Sequence, residues 1–511
     1  MTILIKNVLL IDGSGSPPAK VDVIVKNEKI AAMGYFPQYA MADEVIDGLG
    51  GAYLSPGFID INTNSDLYLN LFLNSSHDVF LSQGITTIIG GQGGISLAPL
   101  LYGSLDLNKF WADPLKINTN WHSISEFLNT ISRKQLGVNF GTLAGYSTIK
   151  YQITGDDFRD ISTKELDVFK YLIDKSLKEG ALGISIDLNF PFTNLTSYKE
   201  IKAVAEIVGK NAGLFSVKLR NLSDATVFMD NIKDNFLPAI NEILNLSKET
   251  LTRIHINNFS CLKGLEEVYE EGLNLISENS ANSDVSFDLH PYETSIVPLF
   301  SFLPSWAKRG SFNEIIRNLS EKEIISKIKK DLSVIKLDDV IIFNTPGLEY
   351  LIGKSIKLFA QERDLTVKDA LIELMKITKL QASVVYKNFS TKPFLNALTK
   401  NRSIISSSWS GFPKNNRNFN LTDLPKTFSQ TIEKSLKWQS IPIESTIKKI
   451  TYLPAKRLGI KNRGIIREGF FADLVLFRDS GVETVLVNGK IAVKDGHNIN
   501  SKNGKVLFGT N

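Results

Sequence analysis

The chain contains few of the residues that build disulfides and metal sites. It has one cysteine, Cys261, and five histidines in 511 residues. A single cysteine excludes an internal disulfide and a cysteine-rich zinc knuckle, and it agrees with a reducing compartment.

Long apolar runs and a strong charge bias are also absent. No run reaches transmembrane length, and the start, MTILIKNVLLIDGSG, lacks the basic region and cleavage site of a signal peptide. The net charge of +4 comes from dispersed lysines, and EKEIISKIKK (321–330) alternates in sign like a solvated helix face. We therefore expect a cytoplasmic protein with no nucleic-acid and no membrane partner; the oligomeric state stays open.

Both ends of the chain show short alternating runs typical of antiparallel strands. At the N-terminus these runs are 4–11, 21–26 and 29–33; at the C-terminus they are DLVLFR (473–478) and VETVLVNGKIAVKDG (482–496). The pair Asn488-Gly489 between two β-branched runs predicts a type I′ hairpin turn. Neither end could bury much surface alone, so we expect residues 1–55 and 464–511 to form one composite β-sandwich.

The middle of the chain, 56–463, predicts a TIM-type (β/α)8 barrel. Eight apolar, β-rich runs occur there: GFIDINTN (57–64), GITTIIGG (84–91), NFGTLAGY (139–146), ALGISIDL (181–188), LFSVKLR (214–220), RIHINNF (253–259), VSFDLHP (285–291) and SIISSS (403–408). Most are followed by an amphipathic segment, as in parallel sheets with right-handed crossovers. Functional groups of such barrels lie at the C-terminal strand ends. The long stretch before the eighth run predicts an inserted subdomain around 293–345.

Several long segments carry a family resemblance in the right order. They are GAYLSPGFIDINTNSD (51–66), QGITTIIGGQGGISLAPL (83–100), GALGISIDL (180–188), SVKLRN (216–221), FDLHPYETS (287–295), SFLPSWA (301–307) and LPAKRLGIKNRGIIREGFFADLVLF (453–477). In these segments the chain resembles the D-aminoacylase, or N-acyl-D-amino-acid deacylase, branch of the amidohydrolase superfamily. The resemblance implies a (β/α)8 barrel, a composite β-sandwich and a zinc-bound water that hydrolyses N-acyl-D-amino acids. It also implies an aspartate after strand eight as the general base.

The positions that the family uses for metal ligands and for this base carry other residues here. By the resemblance, Asn62 and Asn64 replace His-x-His, Gly93 replaces a cysteine, Lys218 and Asn258 replace histidines, and Ser408 replaces the aspartate, or Ser407 if the alignment slips by one. Imidazole suits zinc, whereas a carboxamide oxygen is a hard donor better matched to calcium or magnesium. We therefore expect a degenerate pocket with no metal, although the family uses zinc.

Lys218 supports two hypotheses. Its ammonium could occupy the space of the lost cation and donate hydrogen bonds to the asparagine side chains around it. Alternatively, it could pair with Asp187 or Asp288 and neutralise a buried charge. Both hypotheses describe a barrel mouth that is filled rather than catalytic.

The histidines do not supply a replacement metal site by sequence. Three are expected at the surface: His77, His122 and His497. His255 has the opposite parity to Asn258, so we expect it to face the outer helices. His290 shares parity with Asp288 and would face the mouth, where such a pair forms either a structural hydrogen bond or a catalytic dyad.

Two classes of function remain. The favoured one is a pseudoenzyme of the superfamily that keeps the fold for binding or assembly, with a small amide or amino acid as a possible ligand. Candidate ligand-binding residues are Arg220, Tyr146, Asp187, Asp288 and His290. The alternative is an active hydrolase of carbon-nitrogen bonds other than peptide bonds, acting on N-acyl-D-amino acids or related amides. A hydantoinase-like protein is disfavoured because ALGISIDL offers no bridging lysine at the end of strand four.

Overall fold

The structure, a computed structural model, describes residues 1–36, 42–157, 159, 161–220, 222, 229–332, 337, 340–408, 426–438 and 441–509. Two features named above extend beyond these residues. Asn221, at the end of SVKLRN, and positions 333–336 and 338–339 of the expected insertion lie outside the described residues.

The two ends of the chain pair into one β-sheet. Its strands are Thr2–Leu10 (β1), Ala19–Lys26 (β2), Lys29–Gly34 (β3), Glu44–Pro56 (β4), Leu474–Arg478 (β17), Gly481–Val487 (β18), Lys490–Lys494 (β19) and His497–Asn498 (β20). The strand β17 lies antiparallel to β4 and so joins the two ends. In the turn between β18 and β19, Asn488 and Gly489 both have positive φ, 50° and 73°, as a type I′ turn requires.

Each barrel strand coincides with a run predicted from the sequence. They are Phe58–Asp60 (β5), Ile85–Gly90 (β6), Asn139–Thr142 (β7) continued by Ala144–Gly145 (β8), Gly183–Asp187 (β9), Leu214–Lys218 (β10), Ile254–Ile256 (β11), Val285–Leu289 (β12) and Ser403–Ile405 (β16). Successive barrel strands pair in parallel within two sheets. One sheet contains β5, β6 and β7, and the other contains β8, β9, β10, β11, β12 and β16. The Ser408 N–H donates to the Asn62 carbonyl at 3.0 Å and joins the last strand to the first.

Helices follow most barrel strands and cover them. In chain order the helices are Asn70–Leu73 (α1), Asp78–Leu81 (α2), Ile124–Ser132 (α3), Tyr146–Thr154 (α4), Thr163–Lys178 (α5), Tyr198–Lys210 (α6), Met229–Thr250 (α7), Glu266–Glu278 (α8), Phe312–Asn318 (α9), Lys322–Asp331 (α10), Ile356–Gln361 (α11), Val367–Ile377 (α12), Phe394–Thr399 (α13), Thr427–Trp438 (α14), Ile443–Ile450 (α15) and Tyr452–Leu458 (α16). The start of α5 shows how the sequence sets these bounds, because Ser162 and Glu165 form a reciprocal capping box. In the described part of the chain, no helix is both long enough and apolar enough to cross a membrane.

The insertion between the seventh and eighth barrel strands has its own sheet. Its strands are Ser295–Pro298 (β13), Ile341–Asn344 (β14) and Ser383–Tyr386 (β15), with β15 antiparallel to both neighbours. The helices α9 to α12 pack with this sheet around an apolar core that includes Phe300 and Phe312 and that is shared with Phe110 and Phe190 from outside the insertion. The insertion therefore includes the range 293–345 and continues to Tyr386. It matters for function because residues 294–308 reach the C-terminal ends of the barrel strands.

A buried polar cluster fastens the terminal sheet to the barrel. The carboxylate of Asp473 accepts hydrogen bonds from Arg463 Nη1, from Asn139 Nδ2 at 3.0 Å and from the Asn488 N–H at 2.7 Å. Asn139 lies on a barrel strand, whereas Asp473 and Asn488 belong to the terminal sheet. Arg463 and Asp473 are 3% and 5% exposed, so this ion pair is shielded from solvent.

We predict that Arg463→Met lowers the free energy of unfolding by about 3 kcal/mol, because it leaves a buried carboxylate without its cation. Urea unfolding would measure the change. The control is Arg467→Met, which removes an exposed arginine nearby. An equal loss in both variants would contradict a special role for the buried pair.

Candidate functional site

A cavity of about 130 Å³ opens at the C-terminal ends of the barrel strands. It gathers eight of the residues singled out from the sequence: Asn62, Asn64, Gly93, Asp187, Lys218, Asn258, His290 and Ser408. We call this space the mouth cavity. The remaining wall comes from the insertion and includes Phe300 and Lys308.

The carboxylate of Asp288 lies fully buried beside the mouth cavity and holds several strand ends together. Its Oδ1 accepts hydrogen bonds from His255 Nε2 at 2.9 Å and from the Asn258 N–H at 3.0 Å. Its Oδ2 accepts from Asn62 Nδ2 at 3.1 Å and from the Ser406 hydroxyl. Burial acts to raise the pKa of Asp288, but the hydrogen bonds and the charge of His255 outweigh it, and the pKa is lowered. The group is therefore ionised and surrounded by donors.

The two asparagines after β5 project to one point, as the alternation of an extended chain requires. Asn62 Nδ2 donates to Ser408 Oγ at 3.1 Å, and Asn64 Nδ2 donates to the Ser408 carbonyl at 3.1 Å. Ser408 has a φ of 52°, which is uncommon for a residue other than glycine and marks a constrained site.

A second carboxylate, that of Asp60, connects the first and last barrel strands below the asparagines. It accepts the N–H of Ser407 at 3.1 Å and the N–H of Asn62 at 3.3 Å. Complete burial raises the pKa of Asp60 to about 7, against the hydrogen bonds that lower it, and nearby Asp288 adds to the rise.

Gln92 organises the opposite side of the mouth cavity and was not singled out from the sequence. Its Nε2 donates to the Ile61 carbonyl at 2.6 Å. Its Oε1 accepts from Ser216 Oγ at 2.8 Å and from Asn257 Nδ2 at 2.9 Å. Its position next to Gly93, in the segment that carries the resemblance, is the signal that could have identified it.

The space beside Gly93 is open. A methyl group built on Gly93 would meet no atom within 4 Å, although its φ of 64° disfavours most side chains. Neighbouring Gly94 and Gly91, in contrast, are crowded by backbone. Room for a ligand therefore exists where the resemblance expects a cysteine.

Two lysines bring positive charge to the mouth cavity. Lys218 ends β10 opposite Asp187 in the strand register. Lys308 comes from the insertion, and its Nζ donates to the Ser301 carbonyl at 3.3 Å. Burial lowers the pKa of Lys308 to about 8, and Asp187 opposes this effect. No sequence signal pointed to Lys308, because only the tertiary fold of the insertion brings it here.

Two of the candidate ligand-binding residues lie away from the mouth cavity. Arg220 binds Glu242 at 3.1 Å and the Asn194 carbonyl at 2.7 Å, next to α7. Tyr146 is fully buried, and its hydroxyl donates to Glu200. Both therefore have structural contacts of their own.

The expectations for two histidines were wrong. His77 is buried rather than exposed, and burial lowers its pKa to about 4. His255 faces the barrel interior, where it binds Asp288 and shares a 2.8 Å hydrogen bond with Ser286. The parity argument failed because β11 ends at Ile256 and Asn258 has a φ of 54°, which breaks the alternation. His290 does line the mouth cavity, while His255 is the histidine that binds Asp288.

Among the described residues, no three histidine, cysteine, aspartate or glutamate side chains lie close enough together to hold a metal ion. The groups at the mouth cavity are chiefly amides, hydroxyls and ammonium groups. Such groups bind polar ligands through hydrogen bonds.

Comparison with known proteins finds relatives over nearly the whole chain. An N-acyl-D-aspartate deacylase of Alcaligenes xylosoxydans xylosoxydans is 26% identical over 516 residues, covering 99% of this chain and 91% of the relative. A D-aminoacylase of the same organism is 25% identical over 503 residues, covering 94% and 92%. A solved D-aminoacylase structure, studied for its binuclear metal centre, superposes with a TM-score of 0.78 at 24% identity over 99% of both chains. No protein-family model matches the chain.

These comparisons confirm the resemblance and the fold expected from the sequence. Because the sequence identity is only 24%, the structural similarity shows the fold alone, a barrel with a β-sandwich.

The raised pKa of Asp60 predicts a pH-dependent stability. Folded Asp60 keeps a proton up to about pH 7, whereas the unfolded chain releases it near its ordinary value of 3.8. The folded state therefore binds more protons between these values, and its stability falls as the pH rises, by up to about 1.4 kcal/mol per pH unit. We predict that Asp60→Asn, which cannot titrate, loses less stability over this range.

Urea unfolding at about pH 5 and about pH 7, near the two ends of that window, would measure the difference. The control is Asp479→Asn at an exposed aspartate. An unchanged pH slope in Asp60→Asn would contradict the assignment.

Proposed function

Because this chain is related over its whole length to the D-aminoacylase branch of the amidohydrolase superfamily, we propose that it is a catalytically degenerate member. In this proposal the mouth cavity binds a small amide or amino-acid derivative without hydrolysing it. The observation that carries the proposal is the chemistry of the cavity lining, which offers hydrogen-bonding groups in place of a metal-ligand set.

The donors at the mouth cavity do not fit a zinc ion. A catalytic zinc takes three protein ligands from imidazole, thiolate or carboxylate groups. Asn62 and Asn64 use their Nδ2 groups to hold Ser408, and Lys218 brings an ammonium that repels a cation. Among the described residues of the lining, His290 is the single imidazole and Asp187 the single carboxylate.

A general base for hydrolysis is also missing from the expected position. Ser408 has a hydroxyl there, which does not accept a proton near neutral pH. The buried carboxylate that binds Asn62, Asp288, has a lowered pKa and accepts four hydrogen bonds, so it is poorly matched to proton removal. Asp60 has a raised pKa, but it is fully buried against the backbone N–H groups of Ser407 and Asn62 and does not line the mouth cavity.

The size and lining of the mouth cavity support a small polar ligand. A volume of about 130 Å³ leaves room for a small molecule. Trp111, Phe190 and Phe300 provide an apolar wall, opposite the amides at the strand ends. This combination suits a compact molecule with one polar amide or carboxylate end.

An active hydrolase of carbon-nitrogen bonds other than peptide bonds remains the second candidate. It is favoured by the names of the relatives, which are deacylases of N-acyl-D-amino acids. Activity in this chain would need a relocated site, and Asp288 with His255 or His290 would be the groups to supply it.

We also propose a cytoplasmic location. The proposal is supported by the single cysteine, Cys261, which is buried. Burial raises the pKa of the Cys261 thiol to about 12, so it is an inert structural group.

We predict that the purified protein holds far less than stoichiometric zinc and does not hydrolyse N-acetyl-D-amino acids above background. The reason is that neither a nucleophile-activating metal nor a base is provided. Elemental analysis and an amine-release assay would test this, with a zinc-dependent D-aminoacylase processed in parallel as the positive control. Turnover that disappears in Asp288→Asn or His290→Ala would establish the second candidate instead.

We further predict that Gly93→Asn weakens ligand binding by about tenfold. Asparagine tolerates positive φ, so its side chain would fill the open space with less than about 1 kcal/mol of destabilisation. Calorimetric titration with N-acetyl-D-amino acids would measure the affinity. The matched control is Gly469→Asn, since Gly469 also has positive φ and open space but lies far along the chain on an exposed turn. Equal affinity in both variants would exclude the mouth cavity as the binding site.

A further inference from the structure

A second cavity, of about 390 Å³, lies at the opposite end of the barrel. Its lining includes Arg253, Asp284 and Arg402, which come immediately before β11, β12 and β16. Lys456 and Arg457 of α16 complete the polar wall. Because these residues precede the strands, this basal cavity is separated from the mouth cavity by the length of the barrel.

The basal cavity has an excess of positive charge. Four cationic side chains surround one carboxylate, Asp284. Asp284 already binds Arg457 and, at 3.2 Å, Arg402. Burial lowers the pKa of Arg457, Asp284 opposes this, and the like charges of Arg253 and Arg402 add to the lowering. The single carboxylate therefore does not neutralise the cluster.

The guanidinium groups are held in place by backbone carbonyls. Arg402 donates to the carbonyls of Ser280 and Ser283, both at 2.7 Å. Arg253 donates to the Lys456 carbonyl at 3.2 Å and also to the Ala212 carbonyl. These bonds fix the cations around the cavity at little further entropic cost to a ligand.

Arg457 belongs to the same network, with 9% of the residue exposed. Its Nη groups bind Asp284 and the Ile254 carbonyl. Its Nε has no hydrogen-bond partner among the described residues, but this atom has almost no accessible surface. Arg457 therefore offers a ligand the charge of its guanidinium group rather than this N–H.

We propose that the basal cavity binds a compact oxyanion of the phosphate class. Guanidinium groups match the oxygens of phosphate in bidentate geometry, and an excess of fixed cations favours a multiply charged anion. In the part of the chain that the structure describes, the lining contains no aromatic side chain on which a nucleobase could stack, and its apolar part is only Ile404 and Leu453. A small phosphate ester, or pyrophosphate, fits these features better than a nucleotide.

Calorimetric titration with pyrophosphate at low salt tests the proposal. The native chain should bind one pyrophosphate, and Lys456→Gln and Arg253→Gln should each weaken binding by about tenfold. Lys461→Gln, which removes an exposed lysine outside the cavity, is the charge-matched control and should bind as the native chain does. Gly93→Asn should also leave this affinity unchanged, which separates the basal cavity from the mouth cavity.

One further titration, with citrate, defines the class of anion that the cavity binds. Citrate, a carboxylate of similar charge, should bind more weakly than pyrophosphate; tighter binding of citrate would replace phosphate by carboxylate as the ligand class. Absence of pyrophosphate binding, or equal weakening by Lys461→Gln and Lys456→Gln, would overturn the proposal. Because Lys456 is exposed, its variant keeps the test valid even if Arg253→Gln does not fold.

Discussion

The arrangement of the barrel interior depends on the hydrogen bonds that replace the hydration of one buried carboxylate, that of Asp288. Asp288 accepts hydrogen bonds from His255 on β11, from Asn62 after β5 and from Ser406 after β16. A charge removed from water is tolerated only where hydrogen bonds replace its hydration. The first, sixth and eighth strands are therefore held to the seventh by a single group, and the positions of their ends follow from it.

This arrangement also explains how the mouth can be ordered by hydrogen bonds alone. Asn62 donates from its Nδ2 to both Asp288 and Ser408, so the buried Asp288 carboxylate fixes the Asn62 side chain and, through it, the Ser408 hydroxyl. Asn64 holds the same serine from the other side. The two amides thus order Ser408 at the mouth through hydrogen bonds.

The sequence predicted the barrel well because its strands are short apolar runs whose outward faces pack against helices. It also predicted correctly that Asn62 and Asn64 lie together, because the alternation of side chains along an extended segment is a local property. It failed for His255, because the left-handed Asn258 ends the alternation on which the parity argument relied. Lys308 could not be found from sequence, because the insertion brings it to the mouth through long-range contacts that no local pattern encodes.

The two cavities are connected by a line of buried polar groups. Ser286, which lines the basal cavity, shares a hydrogen bond with His255; His255 binds Asp288, and Asp288 binds Asn62 at the mouth. Barrels of this type usually fill their interior with branched apolar side chains, and replacing buried ionic groups by apolar ones is often neutral or stabilising. Stability therefore does not account for this polar column. The column instead has a positional role: at the mouth it fixes Asn62 through Asp288, and at its other end Ser286 borders the cations that Asp284 and backbone carbonyls hold.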